Sequence, residues 1–287
     1  MYQPFHLRSA RPKYEATSPG ERLWFCIRDW WYSREEADGF AVDRTSLDWI
    51  DSRKRVGLAL SNAAVSDACV RIIRRANAAL DDCDLERDPA EAYRAQLVDT
   101  VRQYCVSPMG FSFADRILTI IGHLAFECAV VARQEIAVTT RTNIHRTFVA
   151  AQGQPTCYIC GLGLVRPYSL DHLWPQSLGG SSLEENLLPA CATCNGRKMD
   201  RIGWDTFGVV IDYAHLGGTA DGNQQTNMAL HHRAAAQLAE RDRITIKEAF
   251  LRLGPIRPRQ LIDADERDDW FFNINVHDLN VLPELWN

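Results

Sequence analysis

Two pairs of cysteines near the middle of the chain constrain its fold more than any other feature. Each pair has the spacing Cys-x-x-Cys, and thirty residues separate Cys157 and Cys160 from Cys191 and Cys194. Four thiolates at this spacing can form the tetrahedron that zinc prefers. A thioredoxin-like redox role for one pair is the alternative, but the second pair and the lack of a surrounding strand-helix-strand pattern disfavour it. The cysteines therefore predict a structural Zn²⁺ whose binding supplies folding free energy.

The other five cysteines occur singly in segments with helical patterning, as expected for thiols in a reducing compartment. The first twenty residues lack the continuous apolar run of a secretory signal. The most apolar stretch, 117–132, is interrupted by His123 and Glu127, which disfavours a membrane span. We therefore expect a cytoplasmic protein that does not bind membranes.

Apolar residues recur at helical spacing and predict a mostly α-helical chain in three parts. The helical patterns occupy about 21–37, 56–79, 89–104, 112–140, 226–241 and 244–253. We predict a helical N-terminal domain over 1–145, a central zinc-stabilised finger over 146–205 and a helical, acidic C-terminal region over 206–287. The N-terminal domain is a candidate for recognition or partner binding.

The charge of the chain is unevenly distributed. The formal net charge is -5, and residues 205–287 contain 8 Lys and Arg against 13 Asp and Glu, with the run DADERDD at 263–269. A solvated acidic face is one interpretation, and an autoinhibitory segment is the other. This charge disfavours a chain that binds nucleic acid tightly by itself, because such affinity grows with the number of phosphates neutralised.

The segment between the cysteine pairs contains polar residues that a zinc knuckle alone does not need. Asp171 and His172 are adjacent, a Pro-x-Ser-x-Gly-Gly loop follows, Asn186 precedes a leucine, and Asn195 directly follows the last cysteine. In this order and at these distances, the residues resemble the HNH endonuclease family over about 150–204. The resemblance implies a ββα-metal finger, in which a hairpin carries Asp171 and His172 and a helix over about 192–201 carries Asn195.

The resemblance also implies a role for each of these residues. His172 is the expected general base, Asp171 and Asn195 the ligands of a catalytic Mg²⁺ or Mn²⁺, and Asn186 the residue that braces the loop and positions the histidine. The chemistry of histidine agrees with the role expected for His172, because a neutral imidazole accepts a proton near physiological pH. Two oxygen ligands leave most of a magnesium coordination sphere for water and phosphate. On a strand, Asp171 and His172 would point to opposite faces.

Three further residues are candidates for contact with substrate. Lys198 lies on the same face of the predicted helix as Asn195, where it would meet a phosphate, and an exposed solvated lysine is the alternative. Arg197 is a candidate for nonspecific contact with the DNA backbone, and simple surface charge is the alternative. Trp174 either packs beneath the loop or stacks on a nucleotide.

These residues together predict a metal-dependent HNH endonuclease that hydrolyses or nicks DNA, with RNA as an open second substrate. Because the chain has no excess of positive charge, we expect protein partners to recruit or activate it. If the acidic run is autoinhibitory, it would cover the nucleic-acid cleft. The HNH family includes antiphage-defence nucleases, so the resemblance suggests an effector of bacterial antiphage defence as the biological context. The alternative function is a noncatalytic zinc-stabilised module that binds nucleic acid or protein.

Overall fold

The computed structural model describes residues 14–37, 50–81, 90–106, 113–200, 228, 231–232, 234–236 and 238–256. Within these residues the chain is mostly α-helical and contains one two-stranded sheet, so the predicted fold class is confirmed. None of the helices among them is long and apolar enough to cross a membrane. The acidic run at 263–269 lies outside the described residues.

In the described residues of the N-terminal part, four helices pack on one another. They are α1 (Pro19–Ala37), α2 (Ile50–Asp81), α3 (Ala90–Val106) and α4 (Asp115–Val131). The first three confirm the helices predicted over 21–37, 56–79 and 89–104. Each helix buries apolar residues completely, including Leu23 and Ile27 of α1 and Ile121 of α4. The spacing of four between Leu23 and Ile27 places both on one face, which explains why the periodic pattern found this helix.

The prediction of a single helix over 112–140 is wrong, because the chain turns between α4 and a separate helix α5 (Val138–Gln152). The side chain of Arg133, which lies in this turn, links the end of α4 to α2. Its guanidinium donates to the Ala129 carbonyl at 2.6 Å, near the end of α4, and to the Asn77 carbonyl of α2 at 3.1 Å. Neither glycine nor proline marks this turn in the sequence. A contact with a distant helix therefore accompanies a break that local propensity did not indicate.

The central finger consists of a hairpin and a short helix. Strands β1 (Ser169–His172) and β2 (Leu187–Ala190) are antiparallel, with Asp171 opposite Leu188 and His172 opposite Leu187. Helix α6 (Ala192–Lys198) follows directly, where a helix was predicted over 192–201. The ββα order implied by the motif is therefore present.

The C-terminal part packs on the finger. Residues 228, 231–232, 234–236 and 238–242 are helical, and α7 (Ile246–Leu253) begins after Thr245, whose hydroxyl accepts a hydrogen bond from the Glu248 amide at 3.1 Å. Both helices predicted in this region are therefore confirmed for the residues described. The Ile256 amide donates to the Ile159 carbonyl of the finger at 2.7 Å. Buried residues of all three parts form one continuous hydrophobic core.

Candidate functional site

The four cysteines predicted to bind zinc lie together. Their sulfur atoms are all within 4.8 Å of one another. The Sγ atoms of Cys160 and Cys191 are 3.9 Å apart. A tetrahedron with Zn–S bonds of about 2.3 Å has edges of about 3.8 Å. Four thiolates this close would repel one another, and a divalent cation at their centre would cancel that repulsion. The cluster therefore suits a structural zinc ion.

Local backbone geometry brings the sulfurs of each pair together. The amide of Gly161 donates to the Cys157 carbonyl at 2.8 Å, which closes the first turn, and Gly161 has a φ of 73° that favours glycine. Cys191 is the residue that caps α6, and its sulfur accepts a hydrogen bond from the Cys194 amide at 3.4 Å. Because Cys191 directly follows β2, the cluster joins the end of the hairpin to the start of the helix.

Asn186 braces the loop that follows β1. Its buried side chain accepts from the Trp174 amide at 2.8 Å and donates to the carbonyls of Trp174 and Ser181, both at 2.9 Å. Trp174 is fully buried, and its indole N–H donates to the Leu178 carbonyl at 2.7 Å. The tryptophan therefore packs beneath the loop. A Cβ on Gly180 would lie 1.8 Å from the Trp174 carbonyl oxygen, which explains the second glycine of the motif.

His172 lies half-buried at the end of β1, and its Nε2 is 3.0 Å from the hydroxyl of Ser182. Burial lowers the pKa of His172 to about 4, with the positive charges of Lys198 and Arg141 acting in the same direction. The imidazole is therefore neutral at physiological pH. A neutral ring with one nitrogen hydrogen-bonded to the protein can accept a proton at its other nitrogen.

Asp171 has different surroundings from its neighbour, as its position on a strand predicts. The carboxylate is buried, with Oδ1 accepting from the Lys198 ammonium at 3.1 Å and Oδ2 accepting from the Tyr158 hydroxyl at 2.6 Å. Lys198 also donates to the His172 carbonyl at 2.5 Å. Burial raises the pKa of Asp171, and the positive charge of Lys198 opposes that rise.

The structure places Lys198 differently from its prediction as a phosphate contact or exposed lysine. The residue is 2% exposed because its ammonium pairs with Asp171 inside the finger. Asn195 and Arg197 lie half-buried on α6. Among the described residues, the hydrogen bonds of the finger do not join Asn195 to Asp171 or His172. The structure therefore forms two groups of predicted site residues. The four cysteines make one group, and His172, Asp171 and Lys198 make the other.

Three residues that the sequence analysis did not single out contact this site. Ser182 hydrogen-bonds His172, Tyr158 hydrogen-bonds Asp171, and the Nε2 of His232 lies 3.1 Å from the Tyr158 hydroxyl. Tyr158 lies inside the first Cys-x-x-Cys turn, so its position was a usable signal. His232 comes from a distant part of the chain, and no local pattern connects it with the finger.

Residues 157–203 match the model of a protein family described as HNH endonuclease. The match covers all four cysteines, both strands and α6, so the resemblance inferred from the motif is confirmed for this segment. Searches among curated proteins and among solved structures gave no match.

Proposed function

We propose, from the HNH endonuclease match over residues 157–203, that this chain is a metal-dependent nuclease that hydrolyses phosphodiester bonds of DNA. One observation carries the proposal: the hydrogen-bonded imidazole of His172 lies at the end of a hairpin that the cysteine cluster joins to a helix. A phosphodiester repels anionic nucleophiles, so its hydrolysis needs a base beside the attacking water.

His172 is the proposed general base. The oxygen of a water molecule attacks phosphorus, the imidazole accepts one proton from that water, and the bond from phosphorus to the leaving sugar oxygen breaks. The lowered pKa of His172 keeps the ring unprotonated before the reaction. Asn186 contributes indirectly, because it fixes both the amide and the carbonyl of Trp174, two residues after the histidine.

A divalent cation, Mg²⁺ or Mn²⁺, would supply positive charge to the phosphate and the leaving oxygen. Asp171 does not fit an open cation site as it stands, because it is 4% exposed and both carboxylate oxygens accept internal hydrogen bonds. Asn195 offers a half-buried amide on α6. Cleavage measured against cation concentration in Asp171→Asn and Asn195→Ala tests the predicted ligands. A higher cation requirement supports a ligand role, and an unchanged requirement contradicts it.

The proposed substrate is DNA, and we propose that a protein partner recruits or activates the chain. The formal net charge of -5 supports recruitment, because tight independent binding to a polyanion needs excess positive charge. Arg197 on α6 is the proposed contact with the DNA backbone.

Antiphage defence is the proposed biological context, and the family resemblance alone supports it. Phage plating on bacteria that express the wild-type chain or the His172→Ala variant tests it, and equal plating contradicts it.

Cleavage of supercoiled plasmid by the zinc-loaded protein tests the central proposal. His172→Ala should lower the rate by about 100-fold or more, which is within the range for loss of a general base. His123→Ala on α4 is the matched control, and equal zinc content shows that the variants retain the finger. Normal cleavage by His172→Ala would exclude this residue as the base. Zinc binding without any cleavage by the wild-type chain would favour the noncatalytic module.

A further inference from the structure

The hydroxyl of Ser182 is surrounded by three polar groups. Ser182 is 5% exposed, and its Oγ donates to the backbone carbonyl of Gln134 at 3.0 Å. The same oxygen lies 3.0 Å from Nε2 of His172 and 3.5 Å from the side-chain nitrogen of Gln176. A serine hydroxyl has one proton to donate and two lone pairs that accept. These three neighbours therefore use its full hydrogen-bonding capacity.

The direction of the Ser182 hydrogen bonds determines which nitrogen of His172 carries the proton. A carbonyl oxygen cannot donate, so the single hydroxyl proton of Ser182 is committed to Gln134. The contact with His172 is then a hydrogen bond only if the Nε2 of the imidazole is the donor. In a neutral ring, a proton on Nε2 leaves the lone pair on Nδ1. The chain of hydrogen bonds thus selects one of the two neutral tautomers.

The final acceptor in this chain lies outside the finger. Gln134 belongs to the turn between α4 and α5, and it precedes the family match at 157–203. Its carbonyl also accepts from the side chain of Gln176 at 2.5 Å. The turn is itself held, because the Gln134 amide donates to the Val131 carbonyl at 3.1 Å. The helical N-terminal part therefore contributes a fixed acceptor to the histidine of the finger.

We propose that Ser182 is a positioning residue for His172, and that the backbone carbonyl of Gln134 completes the positioning from the helical N-terminal part. The two groups hold the imidazole with its proton on Nε2 and leave Nδ1 as the atom that accepts the proton of the attacking water. The catalytic consequence rests on the proposed nuclease function, whereas the selection of the tautomer does not.

Four substitutions in the full-length, zinc-loaded chain test the proposal. Ser182→Ala removes the hydroxyl, and Ser182→Thr retains it. Ser181→Ala is the matched control, since this neighbouring buried serine contacts the hydroxyl of Ser18 at 3.4 Å. Gln134→Ala is a second control, because the proposal uses only the backbone carbonyl of that residue. Zinc content and circular dichroism show whether each variant is folded.

Two readouts are measured on each variant. Long-range ¹H–¹⁵N spectra of ¹⁵N-histidine-labelled protein should show His172 as a single tautomer with Nδ1 unprotonated in the wild-type chain and both controls. The Ser182→Ala spectrum should show a mixture of tautomers. Plasmid cleavage by Ser182→Ala should lose about 10- to 100-fold in kcat, by analogy with the loss when the hydrogen-bond partner that orients a metal-ligating histidine is removed. KM should stay unchanged, and Ser182→Thr should restore most of the rate.

The spectra keep failure of this proposal separate from failure of the nuclease function. If Ser182→Ala leaves the His172 signals as they are in Ser181→Ala, Ser182 does not set the tautomer and the proposal is wrong. An equal loss of kcat in Ser181→Ala and Ser182→Ala would indicate a general loosening of the loop, which also contradicts it. If the wild-type chain cleaves no substrate, the spectra still decide whether Ser182 positions His172.

Discussion

Replacing Lys198 by methionine should destabilise the finger by about 3–5 kcal/mol at neutral pH, the usual cost of leaving one member of a buried ion pair without its partner. The side chains of Lys198 and Asp171 are 2% and 5% exposed, so water screens neither charge. Methionine has a similar length and fills most of the same volume, so the cavity contribution is small. The uncompensated Asp171 carboxylate therefore dominates the loss.

A double variant isolates the charge. Lys198→Met combined with Asp171→Asn removes both charges and leaves an amide oxygen that can accept the hydrogen bond from Tyr158. We expect the double variant to lose only about 1–2 kcal/mol, because a buried ion pair contributes little net stability compared with uncharged residues of similar size. The difference between the double variant and the sum of the single variants measures the coupling of the two residues.

The pH dependence of Lys198→Met follows from the raised pKa of Asp171. Burial raises this pKa, and removal of the opposing ammonium should raise it further. The folded state then binds the proton more tightly than the unfolded state. Protonation as the pH falls removes the buried charge, so the variant should recover stability relative to the wild type. That stability is lost again as the pH rises through the raised pKa.

Equilibrium unfolding in urea, followed by zinc release to a chromogenic chelator, measures the stability of the finger specifically. Each variant is compared with the wild type at the same pH, because protonation of the cysteines also releases zinc. A Lys198→Met variant with wild-type stability and weakened DNA binding would refute the reasoning. That result would instead place the ammonium at the surface, as the sequence motif predicted.

Three more predictions follow from the same geometry. Chelation of zinc, or Cys194→Ser, should unfold the hairpin and α6 and abolish cleavage, as measured by tryptophan fluorescence and plasmid nicking; a folded, active zinc-free protein would contradict the structural role of the cluster. Asn186→Ala leaves three buried backbone groups without their partner and should cost about 3 kcal/mol or more in urea unfolding, whereas a loss below about 1 kcal/mol would mean that the loop does not depend on this brace. Truncation after Ile256, which keeps its 2.7 Å hydrogen bond to Ile159, should raise plasmid nicking if the acidic run is autoinhibitory; an unchanged rate in the folded truncation would exclude that role.

The features that the sequence predicted correctly are those that depend on residues close together in the chain. Helical periodicity found α1, because its apolar residues recur every three to four positions. The cysteine spacing predicted the four-sulfur cluster, because each pair closes a single turn. The order of motif residues identified the hairpin and α6. The alternation of a strand also predicted that Asp171 and His172 have different surroundings.

Distant contacts account for the differences. The helix predicted over 112–140 breaks where Arg133 reaches α2, and no local residue marks that contact. The position of Lys198 on α6 was predicted correctly, but its direction was not, because helical spacing says nothing about whether a buried carboxylate lies beneath it.

Residue order alone indicates which sulfurs cluster and which amide braces the loop, and the family resemblance it carries points to His172 as the proposed base. Tertiary packing alone decides which of these groups faces solvent and in what protonation state. It buries Asp171 against Lys198 and brings the carbonyl of Gln134 to Ser182. The physical reason is that burial and hydrogen-bond direction depend on partners that are far away in the chain, whereas ligand spacing and periodicity are local.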